Sequence, residues 1–317
     1  MPEGFTILAG TANRPLATSV ARLLGAALGR CTIERFPDGE VHVCIDESVR
    51  GLEVYIVQPT APPVNDHLVE LLIMADAARR ASAAGVTAVI PYFGYARADK
   101  RSDCREAITA RMVADLLQTA GVQHVVTIDL HTPQAEGFFR IPVDNLTAVP
   151  VLVAAVRNHL PDAPVVVAPD AGRVKMATAY AHDLGVELAV LHKRRESGTR
   201  TMITHLVGDV RHRGCLLVDD MISTGGTIAE SARTLLAAGA LPDMIACATH
   251  GLLLPGALRR MRAAGVRQLF VTDTVLVDSM DDASFVHAVP VAPLVATALR
   301  RLMADGSLLE LREAGRG

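Results

Sequence analysis

The densest concentration of chemistry-bearing residues is Cys215-Leu216-Leu217-Val218-Asp219-Asp220-Met221-Ile222-Ser223-Thr224-Gly225-Gly226-Thr227. An apolar run leads into two adjacent acids, and a hydroxyl- and glycine-rich turn then opens the helical stretch Ile228 to Ala238. Backbone N–H groups in such a turn are free to point at an anion, and a helix N-terminus adds positive potential. A phosphate monoester suits that turn. The two carboxylates ahead of it repel phosphate but suit vicinal hydroxyls or a divalent cation, so the whole run describes a sugar phosphate. Ser-Thr-Gly-Gly alone reads as a capped strand-to-helix turn; the full run is far more specific.

Three further clusters deserve the same weighing. His131 and Asp170 each follow an apolar run at an expected strand end, where a metal or nucleotide site can be assembled from different strands. A lone histidine there is ordinarily a solvent-facing terminus, whereas Asp170 before Ala171-Gly172 reads as a site residue, a helix N-cap, or both. Lys193-Arg194-Arg195 follow Leu188-Ala189-Val190-Leu191 through His192 and precede a largely polar stretch to Gly208. A charge cluster is usually just solvated, but this placement predicts a mobile loop with cations at its base, able to close over a substrate. Phe36-Pro37-Asp38-Gly39-Glu40 carries a Pro-Asp-Gly turn between strand-like runs and predicts a hairpin.

The elements that must position these groups follow from the apolar patterning. Short β-branched runs alternate with Ala- and Leu-rich stretches of helical length, the pattern of parallel α/β layers. Strands are predicted at 6–9, 54–57, 88–91, 124–128, 165–167, 215–218, 244–248 and 268–271, with helices at 15–28, 65–84, 107–120, 147–159, 171–185, 227–239 and 291–304. Gly29, Gly121, Gly185 and Gly239 stand where C-terminal caps are expected. The series reads as one module used twice, with His131 and His250 in matching places. The domains are then 1–147 and 148–317.

Composition narrows the class. The 317 residues are 50% hydrophobic and 21% charged with net charge -3, which suits two globular domains. Mixed charge gives no footprint for nucleic acid or an acidic membrane surface. The start Met1-Pro2-Glu3-Gly4 lacks a secretory pattern and no run approaches membrane-spanning length, so a cytoplasmic protein is expected. Five widely spaced cysteines without a CxxC indicate neither a disulfide framework nor a zinc site.

The 215–227 segment resembles the phosphoribosyl diphosphate motif of phosphoribosyltransferases and of ribose-phosphate diphosphokinases. Phe36-Pro37-Asp38-Gly39-Glu40, Pro63-Val64-Asn65-Asp66-His67, Tyr92-Phe93-Gly94-Tyr95-Ala96-Arg97, and Asp129-Leu130-His131 with Gly137-Phe138-Phe139 are similar to the diphosphokinases alone. Pro169-Asp170-Ala171-Gly172 and Lys193-Arg194-Arg195 extend the likeness over nearly the whole chain.

That resemblance implies two duplicated phosphoribosyltransferase-like domains and transfer of the diphosphoryl group of ATP to the C1 hydroxyl of ribose 5-phosphate. Lys193 and Arg195 would be the catalytic cations, with Arg194 facing away. ATP would be held by Phe36, Asp38, Gly39, Glu40, Arg97 and Ala98, and Mg²⁺ by His131 and Asp170. Ribose 5-phosphate would be held by Arg195, Asp219, Asp220, Ser223, Thr224, Gly225, Gly226 and Thr227. The chain has no GxxxxGK[ST], so the phosphate grip falls on Mg²⁺ with Lys193 and Arg195. The hairpin is expected to reach a neighbouring subunit, implying a homo-oligomer, a hexamer built from dimers. Ala98 stands where relatives usually have Gln and Arg173 where Gly is usual. The rivals are a phosphoribosyltransferase, which leaves the first domain without a task, and a catalytically silent regulatory homologue, which would lack the cations present here.

Overall fold

The computed structural model describes residues 4–101, 105–197, 200–277 and 284–312. The chain opens with β1 (Phe5–Ala9), α1 (Arg14–Leu23), the antiparallel hairpin β2 (Cys31–Arg35) and β3 (Val41–Ile45), then β4 (Glu53–Val57). There follow α2 (Val64–Arg80), β5 (Gly85–Ile90), α3 (Thr109–Ala120), β6 (His124–Ile128), β7 (Val143–Leu146) and α4 (Val149–Val156). The same succession then repeats: β8 (Val165–Ala168), α5 (Val174–Leu184), the antiparallel pair β9 (Glu187–Ser197) and β10 (Arg200–Val207), and β11 (Cys215–Ile222). It ends with α6 (Gly226–Ala237), β12 (Met244–Gly251), α7 (Ala257–Ala263), β13 (Val266–Thr272), β14 (Val286–Val289), α8 (Ala292–Leu302) and α9 (Leu309–Arg312).

Each repeat makes one main sheet, and in the first repeat β2 and β3 form a separate two-stranded sheet. In the first, β1, β4, β5, β6 and β7 lie side by side, all parallel. In the second, β8, β11, β12, β13 and β14 do the same, and β9 with β10 extends the sheet beyond β8. β5, β8, β11 and β12 are buried along their full length, as strands covered by helices on both faces must be. The expected α/β class and duplication are therefore both present. The histidines, however, are not equivalent: His131 follows β6, whose counterpart is β13, whereas His250 lies in β12.

The chain forms two compact units. One unit is 1–147 with 274–276 and 290–312, so the stretch 290–312, expected in the second domain, packs with the first. The reason is the apolar face of α8, where Leu294, Val295, Ala298 and Leu299 are buried. It packs on α1, whose Leu16, Ala17, Val20 and Ala21 are buried, and Arg300 Nη2 donates to Leu23 O at 2.9 Å. Farther on, Thr147 N donates to Leu311 O at 2.8 Å, and Arg312 pairs with Glu136 at 2.7 Å. The second unit is built on Ala148–Asp273 and includes Val286–Val289, so α4 belongs to it.

Local boundaries differ where capping decides them. α1 is held at its start by Asn13 Oδ1, which accepts from Leu16 N at 3.2 Å, and it ends at Leu23 rather than at 28. Gly25, at φ 70°, makes the left-handed exit expected of Gly29. Gly29 instead packs against β1: its N–H donates to Ile7 O at 2.8 Å, and a Cβ there would lie 2.5 Å from Thr6 Oγ1. Gly121 and Gly185 are left-handed C-caps as expected. The polar stretch expected as a mobile loop beyond Lys193 is instead the β9–β10 hairpin, in which Lys193 lies opposite Ile203 and Arg195 opposite Thr201. Thr201, Ile203 and Val207 are β-formers spaced two or four residues apart, enough to pair with β9.

Candidate active site

In the second unit the chain leaves β8 toward β9 and returns on the other side as β11, which makes the β8–β11 boundary a topological switch point. Ligands of open α/β sheets bind outside the carboxyl ends of strands at such a point. β8 stops at Ala168 while β11 continues to Ile222, paired there only along β12 among the described residues. The two acids predicted to follow the strand are thus inside it: Asp219 and Asp220 are 8% and 2% exposed.

Asp170 begins the turn after β8. Its Oδ1 accepts from Gly172 N at 2.9 Å, the cap expected from sequence, and the short turn Ala171–Arg173 follows. That turn delivers Arg173 to the two acids, with Nε 3.6 Å from Asp219 Oδ1 and Nη1 3.3 Å from Asp220 Oδ2. Burial, then repulsion from Asp220, push the Asp219 carboxyl well above the ordinary carboxylate range; Arg173 opposes this and Asp170 adds to it. Three carboxylates and one guanidinium in one crevice favour a bound cation or hydroxyl donors.

Beyond β11, residues 223–225 form the turn into α6, whose N-cap is Gly225 at φ 70°. A Cβ on Gly225 would lie 3.0 Å from Ala257 O and from Met261 Cγ, so only glycine fits both the conformation and the space. The N-cap Gly225 has no side chain to cap with; Thr224 Oγ1 accepts from Gly226 N at 3.4 Å, and the first helical bond is Ala229 N to Gly225 O at 3.0 Å. Ser223 and Gly226 are half-buried, Thr224 and Thr227 exposed. The carbonyls of this turn are tied back: Leu254 N donates to Ser223 O at 3.0 Å and Arg260 Nη1 to Thr224 O. With its carbonyls tied back and only the long Gly226 N–Thr224 Oγ1 bond at 3.4 Å on its N–H side, the turn at a helix N-terminus suits an anion. Arg260 carries no sequence signal, because it reaches the turn from α7.

In the first unit, Phe36 to Glu40 form the tip of the β2–β3 hairpin. Phe36 N donates to Glu40 O, and Gly39 N to Phe36 O, both at 2.8 Å; Asp38 Oδ1 accepts from Glu40 N at 3.1 Å, and Gly39 has φ 95°. Phe36 is 48% exposed, an aromatic ring displayed on a rigid turn with only His42 beside it among the aromatic contacts described. Arg97 is exposed and Ala98 half-buried on the loop after β5. Gly94 N donates to Thr60 Oγ1 at 2.6 Å, Ala98 N to Tyr95 O at 2.9 Å, and the Tyr95 hydroxyl to Asn65, so this loop is anchored. His131 is half-buried after Asp129, which adopts φ 41°, with Leu130 N held by Asn145 Oδ1 at 3.0 Å. Lys193 and Arg195 are placed in β9 by backbone register only; their side chains lie outside the described residues.

Sequence reasoning missed one polar centre. Glu70, 1% exposed, accepts from Thr11 N, Thr11 Oγ1 and Gln58 Nε2, each at 2.7 Å. It fixes the loop leaving β1, and its only sequence trace is an acid on the buried face of α2.

Comparison with known proteins agrees with this geometry. Residues 5–121 match a family described as the N-terminal domain of ribose phosphate pyrophosphokinase, and residues 199–312 match the phosphoribosyl synthetase-associated domain. The chain is 43% identical over 311 residues to the ribose-phosphate pyrophosphokinase of Ralstonia nicotianae, covering 98% of each. It is 42% identical to that of Thermotoga maritima, covering 93% of this chain and 94% of the relative. The crystal structure of phosphoribosylpyrophosphate synthetase from Mycobacterium smegmatis superposes with a TM-score of 0.88 at 42% identity, covering 96% of this chain and all of that one. With matches over both ends of the chain and 43% identity across 98% of it, the chain belongs to the ribose-phosphate pyrophosphokinase family.

Proposed function

We propose that this chain transfers the β,γ-diphosphoryl group of ATP to the C1 hydroxyl of ribose 5-phosphate, giving 5-phosphoribosyl 1-diphosphate and AMP. The C1 oxygen attacks the β-phosphorus, the bond from that phosphorus to the α,β-bridging oxygen breaks, and the hydroxyl proton is released. Such an in-line step depends on positioning and on cancelling charge at phosphate oxygens. The observation that carries the reading is the buried Asp219-Asp220 pair immediately before the anion-ready turn 223–227 at a switch point.

In the second unit, Asp219 and Asp220 accept hydrogen bonds from the ribose hydroxyls, while the N–H groups of Ser223 to Thr227 hold the 5-phosphate. Arg97 offers a flat face for adenine with Ala98 beside the nucleotide, and the hairpin tip of a neighbouring subunit, Phe36 with Asp38, Gly39 and Glu40, closes the other side. Lys193 and Arg195 stabilise charge on the transferring group.

The family implies a divalent cation, and we assign Mg²⁺. Among the described residues no three His, Cys, Asp or Glu side chains form a protein-only cage. That suits Mg²⁺, which takes one or two carboxylates and fills its shell with water and substrate phosphates. Asp170 supplies a hard oxygen donor at the switch point, and His131 is the candidate in the first unit. Bound there, the ion would neutralise phosphate charge.

Among the described residues no helix is long and apolar enough to cross a membrane, and we propose a cytoplasmic enzyme acting as a homo-oligomer, a hexamer built from dimers. Incubation with ATP, Mg²⁺ and ribose 5-phosphate should form AMP in step with the diphosphorylated sugar. Absence of AMP formation would overturn the assignment. Lys193→Ala should fold normally and lose turnover by roughly 100-fold or more, as for removal of one preorganised cation; near-normal turnover would remove Lys193 from catalysis.

A further inference from the structure

Two adjacent carboxylates in the interior of a strand need a cationic partner, since leaving buried charge uncompensated is strongly destabilising. Here the partner is built into the chain. Arg173 is as sequestered as the acids: its side chain and that of Asp219 are each 12% exposed, and that of Asp220 is 3%. It is also delivered by rigid elements. The turn Ala171–Arg173 starts from Asp170, which accepts from Gly172 N through its side chain at 2.9 Å and from Arg173 N through its carbonyl at 3.2 Å. That turn leaves β8, which is paired with β11 at Val165–Cys215, Val166–Leu216 and Val167–Leu217. The guanidinium reaches one oxygen of each acid, which a planar fork of donors can do.

We propose that Arg173 is a positioning residue that bridges Asp219 and Asp220 in place of a divalent cation, so that the sugar-hydroxyl site is assembled without metal. The inference rests on the reading of 219–227 as the ribose 5-phosphate site. It makes sugar binding metal-independent in this chain and confines the metal requirement to the nucleotide and to transfer. Acids held in fixed rotamers lower the entropy lost when the ribose hydroxyls bind.

Calorimetric titration of ribose 5-phosphate into the full chain, in EDTA and in Mg²⁺, tests this with wild type, Arg173→Ala and Arg173→Lys. Wild type should bind equally in both buffers. Arg173→Ala should bind roughly 10–100-fold more weakly in EDTA, the loss of one charged contact, and recover in Mg²⁺. Arg173→Lys should restore most of the metal-free affinity. In turnover, Arg173→Ala should raise KM for the sugar with little change in kcat at saturating Mg²⁺. Should Arg173→Ala fail to fold, the wild type and Arg173→Lys decide. Wild-type binding that requires Mg²⁺, or Arg173→Ala binding that keeps full affinity in EDTA, overturns the proposal and leaves the sugar site standing. No sugar binding by wild type in either buffer removes the site itself, and the proposal with it.

Discussion

Gly225→Ala puts the phosphate turn to its most direct test. Two costs add. Holding a non-glycine residue at φ 70° costs about 1–2 kcal/mol. The new Cβ would also sit 3.0 Å from the backbone oxygen of Ala257 and from Met261 Cγ, so the turn must shift by a few tenths of an ångström. A total near 2 kcal/mol should lower Tm by about 4–8 °C for a unit of this size. Displacing one N–H from a charged phosphate forfeits about 1.5–3 kcal/mol, which predicts KM for ribose 5-phosphate raised roughly 10–150-fold with KM for ATP little changed. Gly256→Ala is the matched control: φ is 84°, but the nearest atom to its Cβ would be Arg259 Nη2 at 4.0 Å. It should carry the strain alone, with a smaller drop in Tm and unaltered KM. Thermal melting and steady-state kinetics on both variants suffice. Equal effects of the two substitutions on KM, or none at Gly225, would refute the placement of phosphate on this turn.

Asp219→Asn should change the pH dependence of stability. Because the folded carboxyl titrates above its ordinary 3.8, the native state holds a proton the unfolded chain has lost, and wild-type stability falls as pH rises through that window. Asparagine cannot ionise, so urea midpoints should shift increasingly in the variant's favour as pH rises; an opposite slope would contradict the burial argument. Glu70→Ala leaves three donors facing a cavity and should cost about 3 kcal/mol or more in urea unfolding. Phe36→Ala, at an exposed tip, should alter stability by less than about 0.5 kcal/mol and raise KM for ATP about 2–10-fold. A large loss of stability would instead make Phe36 structural.

Strand positions were legible because buried parallel strands are short apolar runs: His124–Ile128 is predicted and observed with the same bounds. The acid pair, the glycine turn and the Asp170 cap were legible because each is a local pattern. What escaped is non-local. Nothing near Cys215 indicates that the strand runs through Asp219 and Asp220, since their burial depends on Arg173, which lies 46 positions before Asp219. Arg260, Glu70 and the destination of α8 escaped likewise, each set by a partner distant in sequence. The β9–β10 hairpin was missed because its polar residues hide a two-residue period.

The exchange of closing helices sets an order on biosynthesis. The second unit has nearly all its parts once residue 289 has been made, whereas the first, although begun earlier, waits for the helix at 292–302 to cover Leu16 and Val20. A nascent chain stalled midway therefore exposes an apolar stripe that chaperones can recognise. A polypeptide ending at Thr147 would keep that stripe permanently, so cutting the gene at the apparent midpoint would not yield two self-sufficient halves.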